Sequence, residues 1–395
     1  MSGRLLRVEV APDSLFGPEN LPYGVFAPPG GGFRVGARLG DTVLDLVALL
    51  GDPVLAQPSM NAFLASGPDH WRTVRDRLRE LAGTELPIEA VHPVNGVEMA
   101  LPIHIGDYVD FYASIDHATN LGRLFRPDSE PLLPNWRHLP VGYHGRAGTV
   151  VVSGTPIIRP LGQRRTDSAT PDFGPSRRLD IEAELGFVVG TGSPLGVPVR
   201  VDEFSDHVFG VALVNDWSAR DIQAWEYQPL GPFLGKSFST SLAAWITPLA
   251  ALADARVPLP PQDPPPLPYL RGSDDHGLDI DLAVRWNGEV VAHPPYARMY
   301  WSPAQMLAHL TANGASIRPG DLYASGTISG PETDQRGSFI ELSWGGTQPV
   351  TVRGESRTFL ADGDEVTITA TAPGTAGRRI GLGEVSGRIL PSRTP

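Results

Sequence analysis

The chain has 395 residues, 41% hydrophobic and 19% charged, an ordinary globular balance with length enough for a large core and two domains. A formal net charge of −12 argues against nucleic acid and anionic membrane surfaces as partners. The absence of cysteine removes disulfides, thiolate metal sites and thiol nucleophiles together, and fits a cytoplasmic protein.

From the amino terminus, "YGVFA", "GFRVGARLG" and "TVLDL" read as short strands joined by turns. "PSMNAFLASG" and "PDHWRTVRDRLRELAG" read as helices, the second opened by Pro68 and Asp69 and closed by Gly83. No run reaches the apolar length of a membrane helix, and Asp13 comes too early for a secretory signal. From about residue 101 the texture changes. Polar residues crowd into apolar surroundings, and strands dominate in "TVVVSGTPII", "VFGVALVND" and "DEVTITATA". "SPAQMLAHLTANG" reads as a helix with Ser302 as N-cap, Pro303 in its first turn and Gly314 at its end. The Pro-rich segment 257–270 reads as a stiff surface loop.

Several apparent motifs fail on spacing. "GPFLGKS" has three residues between Gly231 and Gly235, where a phosphate-binding loop has four. "GTGSPLG" and "GLGEVSG" each carry one residue too many for a dinucleotide fingerprint. No G-x-S-x-G elbow occurs, and no histidines are paired at zinc spacing.

What remains is a set of carboxylates. In "RLDIEAELGFVVG", residues 178–190, an apolar strand pattern puts Asp180, Glu182 and Glu184 on one face. Like charges in one row repel, so that face is either wet or covered by something positive. "VDFY" places Asp110 and Tyr112 on one side of an extended segment. "VALVND" ends in Asp216 and leads into a helix on which Arg220, Gln223 and Tyr227 share a face. If Asp110, Glu182, Glu184 and Asp216 converge, they require a compensating cation, and an all-oxygen set suits Mg²⁺ or Ca²⁺. Taken singly, each acid also reads as a solvated strand edge or a salt bridge. Glu341, in "GSFIELSW", sits between strand-like hydrophobics and, if buried, needs a partner such as His or Lys.

The strings "DYVDFY", "HATN", "LLPNWRHLPVGYHGRAGTVVVSGTPI", "LDIEAELGFVVG", "NDWSARDIQAWEYQPLGPFLGKSF", "ASGTISGPE" and "IELSWGGT" closely resemble the fumarylacetoacetate hydrolase family. "ENLPYGVF" and "MNAFLASGPDHW" extend the resemblance over nearly the whole chain, and with "HATN" point to its fumarylacetoacetase branch. The resemblance implies a mainly β fold. A small SH3-like barrel over residues 1–102 precedes a catalytic β-sandwich roll over 103–395. It also implies a homodimer acting on a small β-diketo acid. Asp110, Glu182, Glu184 and Asp216 match the carboxylates around a divalent ion, Ca²⁺ or Mg²⁺. Lys236 and Thr240 match a second, Mg²⁺-type site, where the lysine would use its backbone carbonyl. His117 matches a general base oriented by Glu341, and Arg220, Gln223 and Lys236 match groups that meet developing negative charge. Tyr112, Arg126, Tyr143, Gln223, Tyr227 and Thr327 match substrate contacts. The implied reaction is hydrolysis of the carbon–carbon bond of fumarylacetoacetate. The alternative is another reaction of the same superfamily on a short keto acid: acylpyruvate hydrolysis, oxaloacetate decarboxylation or isomerisation. Asp180 matches no ligand position and is expected at the strand's start, paired with a basic neighbour or with solvent.

Overall fold

The computed structural model describes residues 4–165 and 170–393. β-Branched and aromatic residues in "YGVFA", "RVGARL" and "TVLD" form the strands Tyr23–Ala27, Arg34–Leu39 and Thr42–Asp45, which pair antiparallel in sequence order. Asp45 then caps the helix Leu46–Leu50, accepting from the Val47 and Ala48 N–H groups. The helix Pro68–Leu81 follows, with Pro68 at its first position and Ala82, rather than Gly83, at its end. It buries Trp71, Val74, Arg75 and Leu78, the spacing of one helical face.

These amino-terminal strands are joined to the rest of the chain by strand pairing. Tyr23–Ala27 pairs with Trp245–Pro248, so one sheet runs across the whole molecule. From Trp245–Pro248 it passes to Val208–Asp216, Ala183–Val189, Leu322–Ala324, Tyr108–Phe111 and Gly142–His144. The strands Ala183–Val189 and Val208–Asp216 are buried at every position, and they read as apolar runs for that reason. A second sheet holds Ile157–Ile158, Arg379–Leu390, Glu365–Pro373, Asp281–Trp286 and Glu289–Ala292 in that order. It lies against Val208–Asp216, Thr240–Leu242 and Trp245–Pro248, closing a two-layer core. The helix Pro303–Thr311 carries the expected Ser302 cap, and Gln305 completes a capping box. Among the described residues no helix is long and apolar enough to cross a membrane.

Two local expectations are corrected. "LDIEAELGF" is not one strand. Leu179–Asp180 pairs with Ser218–Ala219, and Ala183–Val189 begins afresh in the large sheet. Glu341 lies on a single helical turn, Phe339–Leu342, not in a strand. A four-residue apolar string around one acid has no period long enough to separate the two. Phe339 stacks on Trp286 at 4.3 Å between ring centroids, which anchors this turn to the second sheet.

Candidate active site

The carboxylates meet because strand register brings them together. Asp216 closes Val208–Asp216 and lies opposite Thr240, whose hydroxyl donates to Asp216 Oδ1 at 2.8 Å. Glu184 stands opposite Val214, two residues before that end. Asp110 lies opposite Tyr143 on one side and beside Ala324 on the other. Glu182 occupies the break between the two pieces of the 178–190 segment, its N–H donating to Asn215 Oδ1 at 3.2 Å. One oxygen from each of Asp110, Glu182, Glu184 and Asp216 lies within 4.8 Å of the others, and all four residues are buried.

Two fixed cations face this cluster. Lys236 Nζ lies 2.5 Å from Glu182 Oε2 and 2.7 Å from Asp216 Oδ2. Arg220 Nη1 lies 2.7 Å from Glu182 Oε1 and 3.1 Å from Gln223 Oε1. Burial works against the charge on Glu182, but Lys236 and Arg220 outweigh it and hold the carboxyl well below the usual range. Burial likewise disfavours the Lys236 ammonium, and Asp216 and Glu182 hold it above the ordinary lysine value. Asp110 and Glu184 have no such partner. Burial, followed by Asp216 for Asp110 and by Asp110 for Glu184, pushes both carboxyls well up.

Asp110 Oδ1 and both oxygens of Glu184 are buried with no hydrogen-bond partner. Three orphaned carboxyl oxygens among four converging acids fit a hard divalent cation, for which oxygen ligands lie at about 2.0–2.6 Å. Tyr143, whose hydroxyl burial and Asp110 push up, remains a donor to Asp110. At Lys236 and Thr240 the side chains are spent on the carboxylates, so a second ion there would take backbone oxygen.

The second constellation stands on the helix Ile115–Phe125. Ser114 caps it, accepting from the His117 N–H at 3.2 Å. His117 Nδ1 is 2.6 Å from Glu341 Oε2. Glu341 also accepts from Asn120 Nδ2 at 3.0 Å, Ser329 Oγ at 3.0 Å and Ser338 Oγ at 2.7 Å. Burial opposes ionisation of Glu341, but His117 and these donors outweigh it and hold the carboxyl low. An ionised Glu341 can only accept, so Nδ1 carries the proton and Nε2 is left as the basic nitrogen. Asn120, Ser329 and Ser338 escaped the sequence reading. His117 and Asn120 three apart in "HATN" share a helix face, a signal that was there to use.

One cavity of about 420 Å³ joins the two constellations. Asp110, Glu182, Arg220 and Lys236 form one wall and His117 another. Tyr112, Arg126, Tyr143, Gln223, Tyr227 and Thr327 line it as well. Glu184, Asp216, Thr240 and Glu341 stand behind these walls rather than on the cavity. Thr327 is placed by Gly326, whose φ of +75° turns the chain hard against the Phe111 carbonyl, where a Cβ has no room. The Arg126 Nε is buried without a partner, and its Nη2 donates to Pro131 O at 2.8 Å.

A buried carboxylate cluster and a histidine–glutamate pair on one cavity have the make-up of a metal-dependent enzyme site. Residues 19–102 match the family model of the fumarylacetoacetase N-terminal domain, and 108–389 that of the fumarylacetoacetate hydrolase C-terminal domain. The chain belongs to the fumarylacetoacetate hydrolase family. It is 47% identical to the fumarylacetoacetase of Homo sapiens, 46% to that of Rattus norvegicus and 45% to that of Arabidopsis thaliana. Each comparison covers 98% of this chain and 98–99% of the relative. Among solved structures, a fumarylacetoacetate hydrolase from Exiguobacterium antarcticum is similar at a TM-score of 0.57 and 18% identity, over 94% of this chain and 100% of that one. A 2-hydroxyhepta-2,4-diene-1,7-dioate isomerase from Mycobacterium marinum is similar at 0.53 and 16%, over 95% and 100%. At that identity the likeness is one of fold, which serves more than one reaction.

Proposed function

We propose that the protein hydrolyses 4-fumarylacetoacetate to fumarate and acetoacetate, the last step of tyrosine and phenylalanine degradation. The observation that carries this reading is the His117–Glu341 pair opening on the same cavity as the carboxylate cluster. With Nδ1 committed to Glu341, His117 Nε2 takes a proton from water, whose oxygen attacks a substrate carbonyl. The carbon–carbon bond then breaks, its electron pair leaves with the acetoacetate fragment as an enolate, and that carbon takes up a proton. Asp110, Glu182, Glu184 and Asp216 would hold Mg²⁺ or Ca²⁺, which when bound supplies Lewis-acid polarisation of the diketone oxygens. Arg220, Gln223 and Lys236 meet the charge that develops on oxygen. Gln223 accepts from Arg220 through Oε1, which leaves its amide N–H groups for the cavity. Arg126 meets a substrate carboxylate, with Tyr112, Tyr143, Tyr227 and Thr327 as further contacts. Lys236, through its backbone carbonyl, and Thr240 would serve a second Mg²⁺.

The His117–Glu341 pair favours hydrolysis over decarboxylation or isomerisation within the family, since neither of those needs an activated water. Residues 1–102 act as a supporting domain and 103–395 as the catalytic one. Exposed Leu230 and Phe233 on the loop beside the cavity support burial in a homodimer, and the absence of cysteine supports a cytoplasmic setting. The test is loss of fumarylacetoacetate absorbance with purified, cation-supplemented protein, against acylpyruvates and oxaloacetate. His117→Gln is expected to fold and to lose turnover by about 10²-fold or more. Faster turnover of an acylpyruvate than of fumarylacetoacetate would transfer the assignment to that relative's reaction.

A further inference from the structure

Asp180 has no part in the site described so far, yet it is fully buried and its two oxygens hold four donors. Oδ2 accepts from Arg220 Nε at 2.8 Å and from the Ile340 N–H at 3.0 Å. Oδ1 accepts from the Phe339 N–H and the Ile181 N–H, each at 2.7 Å. Phe339 and Ile340 open the turn that carries Glu341, and the first N–H groups of a helix have no acceptor within it. Ser338, the residue placed to cap them, makes no capping bond, and its hydroxyl is turned to donate to Glu341 Oε2 instead. Asp180 supplies the cap in its place from 160 residues away in sequence.

One carboxylate therefore grips both arms of the site: the guanidinium that meets oxygen and the turn that orients the base. We propose that Asp180 is a positioning residue that holds Arg220 and the Glu341–His117 pair at a fixed spacing. This rests on the functional reading above. A carboxylate suits the position where an amide does not, because four donors converge on its two oxygens and an amide offers one oxygen and two competing N–H groups. A displacement of about 1 Å in a catalytic group can cost about 10²-fold in rate, so loosening this anchor acts on turnover more than on binding.

The experiment is Asp180→Asn in the full-length, cation-loaded protein, alone and combined with Glu341→Gln. Alone it is expected to lower kcat by about 10- to 100-fold with KM nearly unchanged. It is also expected to remove or shift the downfield proton resonance of His117 Nδ1–H, the mark of its short bond to Glu341. In the Glu341→Gln background, where that pair is already weakened, the same substitution should cost much less. Asp180→Glu, which keeps the charge but displaces it, takes its place where the asparagine variant is not recovered folded, and should move kcat and the resonance in the same direction. A folded variant that keeps the resonance unchanged, or that loses kcat equally in both backgrounds, overturns the proposal. The resonance is read without substrate. Failure of the wild-type protein to consume fumarylacetoacetate would therefore refute the functional reading and leave this test standing.

Discussion

Glu341→Gln separates what the Glu341 charge does from what its shape does. In the wild-type protein Oε2 receives His117, Ser329 and Ser338, while Oε1 receives only Asn120. A glutamine would keep its oxygen at the Oε2 position, where three donors point, and turn its NH₂ toward Asn120. Asn120 can answer by presenting its own oxygen, so no buried donor is stranded. What is lost, on the proposed mechanism, is the charge behind the imidazolium that forms when His117 takes a proton. A hydrogen bond to a charged group contributes about 1.5–3 kcal/mol and a neutral one about 0.5–1.5, a difference of roughly 1–2 kcal/mol. If that difference falls on the transition state, kcat drops by about 5- to 30-fold. Glu341→Ala instead leaves four donors facing a hole and should lose both turnover and melting temperature. The assay is initial-rate absorbance on fumarylacetoacetate, with circular dichroism to establish folding. A folded Glu341→Gln within about twofold of wild type would show that the charge is not used. One as inactive as a His117 deletion, beyond about 10³-fold, would show that more than charge rests on this residue.

Cation removal has a pH signature. Asp110 and Glu184 are pushed well above the ordinary carboxylate range, by burial first and neighbouring carboxylates second. A raised value means that the metal-free fold holds protons the unfolded chain would release. Their contribution is therefore present at low pH and lost as pH rises through the raised values. Chelator-treated protein should melt at lower temperature as pH rises above the ordinary carboxylate range, and added Mg²⁺ or Ca²⁺ should raise the melting temperature more at about pH 8 than at about pH 5. A cation-induced shift that is the same at both would refute this. Separately, Arg126→Met should raise KM for fumarylacetoacetate about tenfold or more with a smaller effect on kcat, because a partnerless guanidinium nitrogen awaits a carboxylate. An unchanged KM would remove Arg126 from substrate binding.

Much of the site was legible because its elements keep strict periods. A two-residue period in the sequence singled out Glu182 and Glu184, although Glu182 lies in the break before the strand, and a helical period put Arg220, Gln223 and Tyr227 on one face. The structure finds all but Glu184 of these on one cavity. Illegible was whatever depends on a register between distant segments. Nothing in "LDIEAELGF" announces that the chain leaves one strand pair after Asp180 and enters another at Ala183, because both pieces are buried and equally apolar. Nothing in "FIEL" distinguishes a helical turn from a strand, since its conformation is set by Asp180 capping it and by Phe339 stacking on Trp286. The union of the amino-terminal strands with the catalytic sheet was hidden for the same reason. It rests on two register partners, Trp245 with Gly24 and Ile246 with Tyr23, in strands more than 200 residues apart.

The break in that segment also explains how one stretch carries acids of opposite behaviour. Asp180, Glu182 and Glu184 alternate in sequence, yet each meets a different compensation. Asp180 is offset by Arg220 and three backbone N–H groups. Glu182 lies between Arg220 and Lys236, and its carboxyl is held low. Burial, with Asp110, Glu182 and Asp216 close by, pushes the Glu184 carboxyl up, and Lys236 opposes this only in part. Five buried acids, counting Asp110 and Asp216, thus stand against two fixed cations. Arg220 and Lys236 are ion-paired with Asp180, Glu182 and Asp216, whereas among the described residues no salt bridge reaches Asp110 or Glu184. Five carboxylates against two cations leave three negative charges, of which a divalent cation would neutralise two, and Asp110 and Glu184 are the two of these acids with oxygens that lack partners. A third fixed cation from the protein would satisfy the fold equally well but would fill the position from which a bound ion can act on substrate. The uncompensated pair is therefore better understood as part of the chemistry than as a defect of packing.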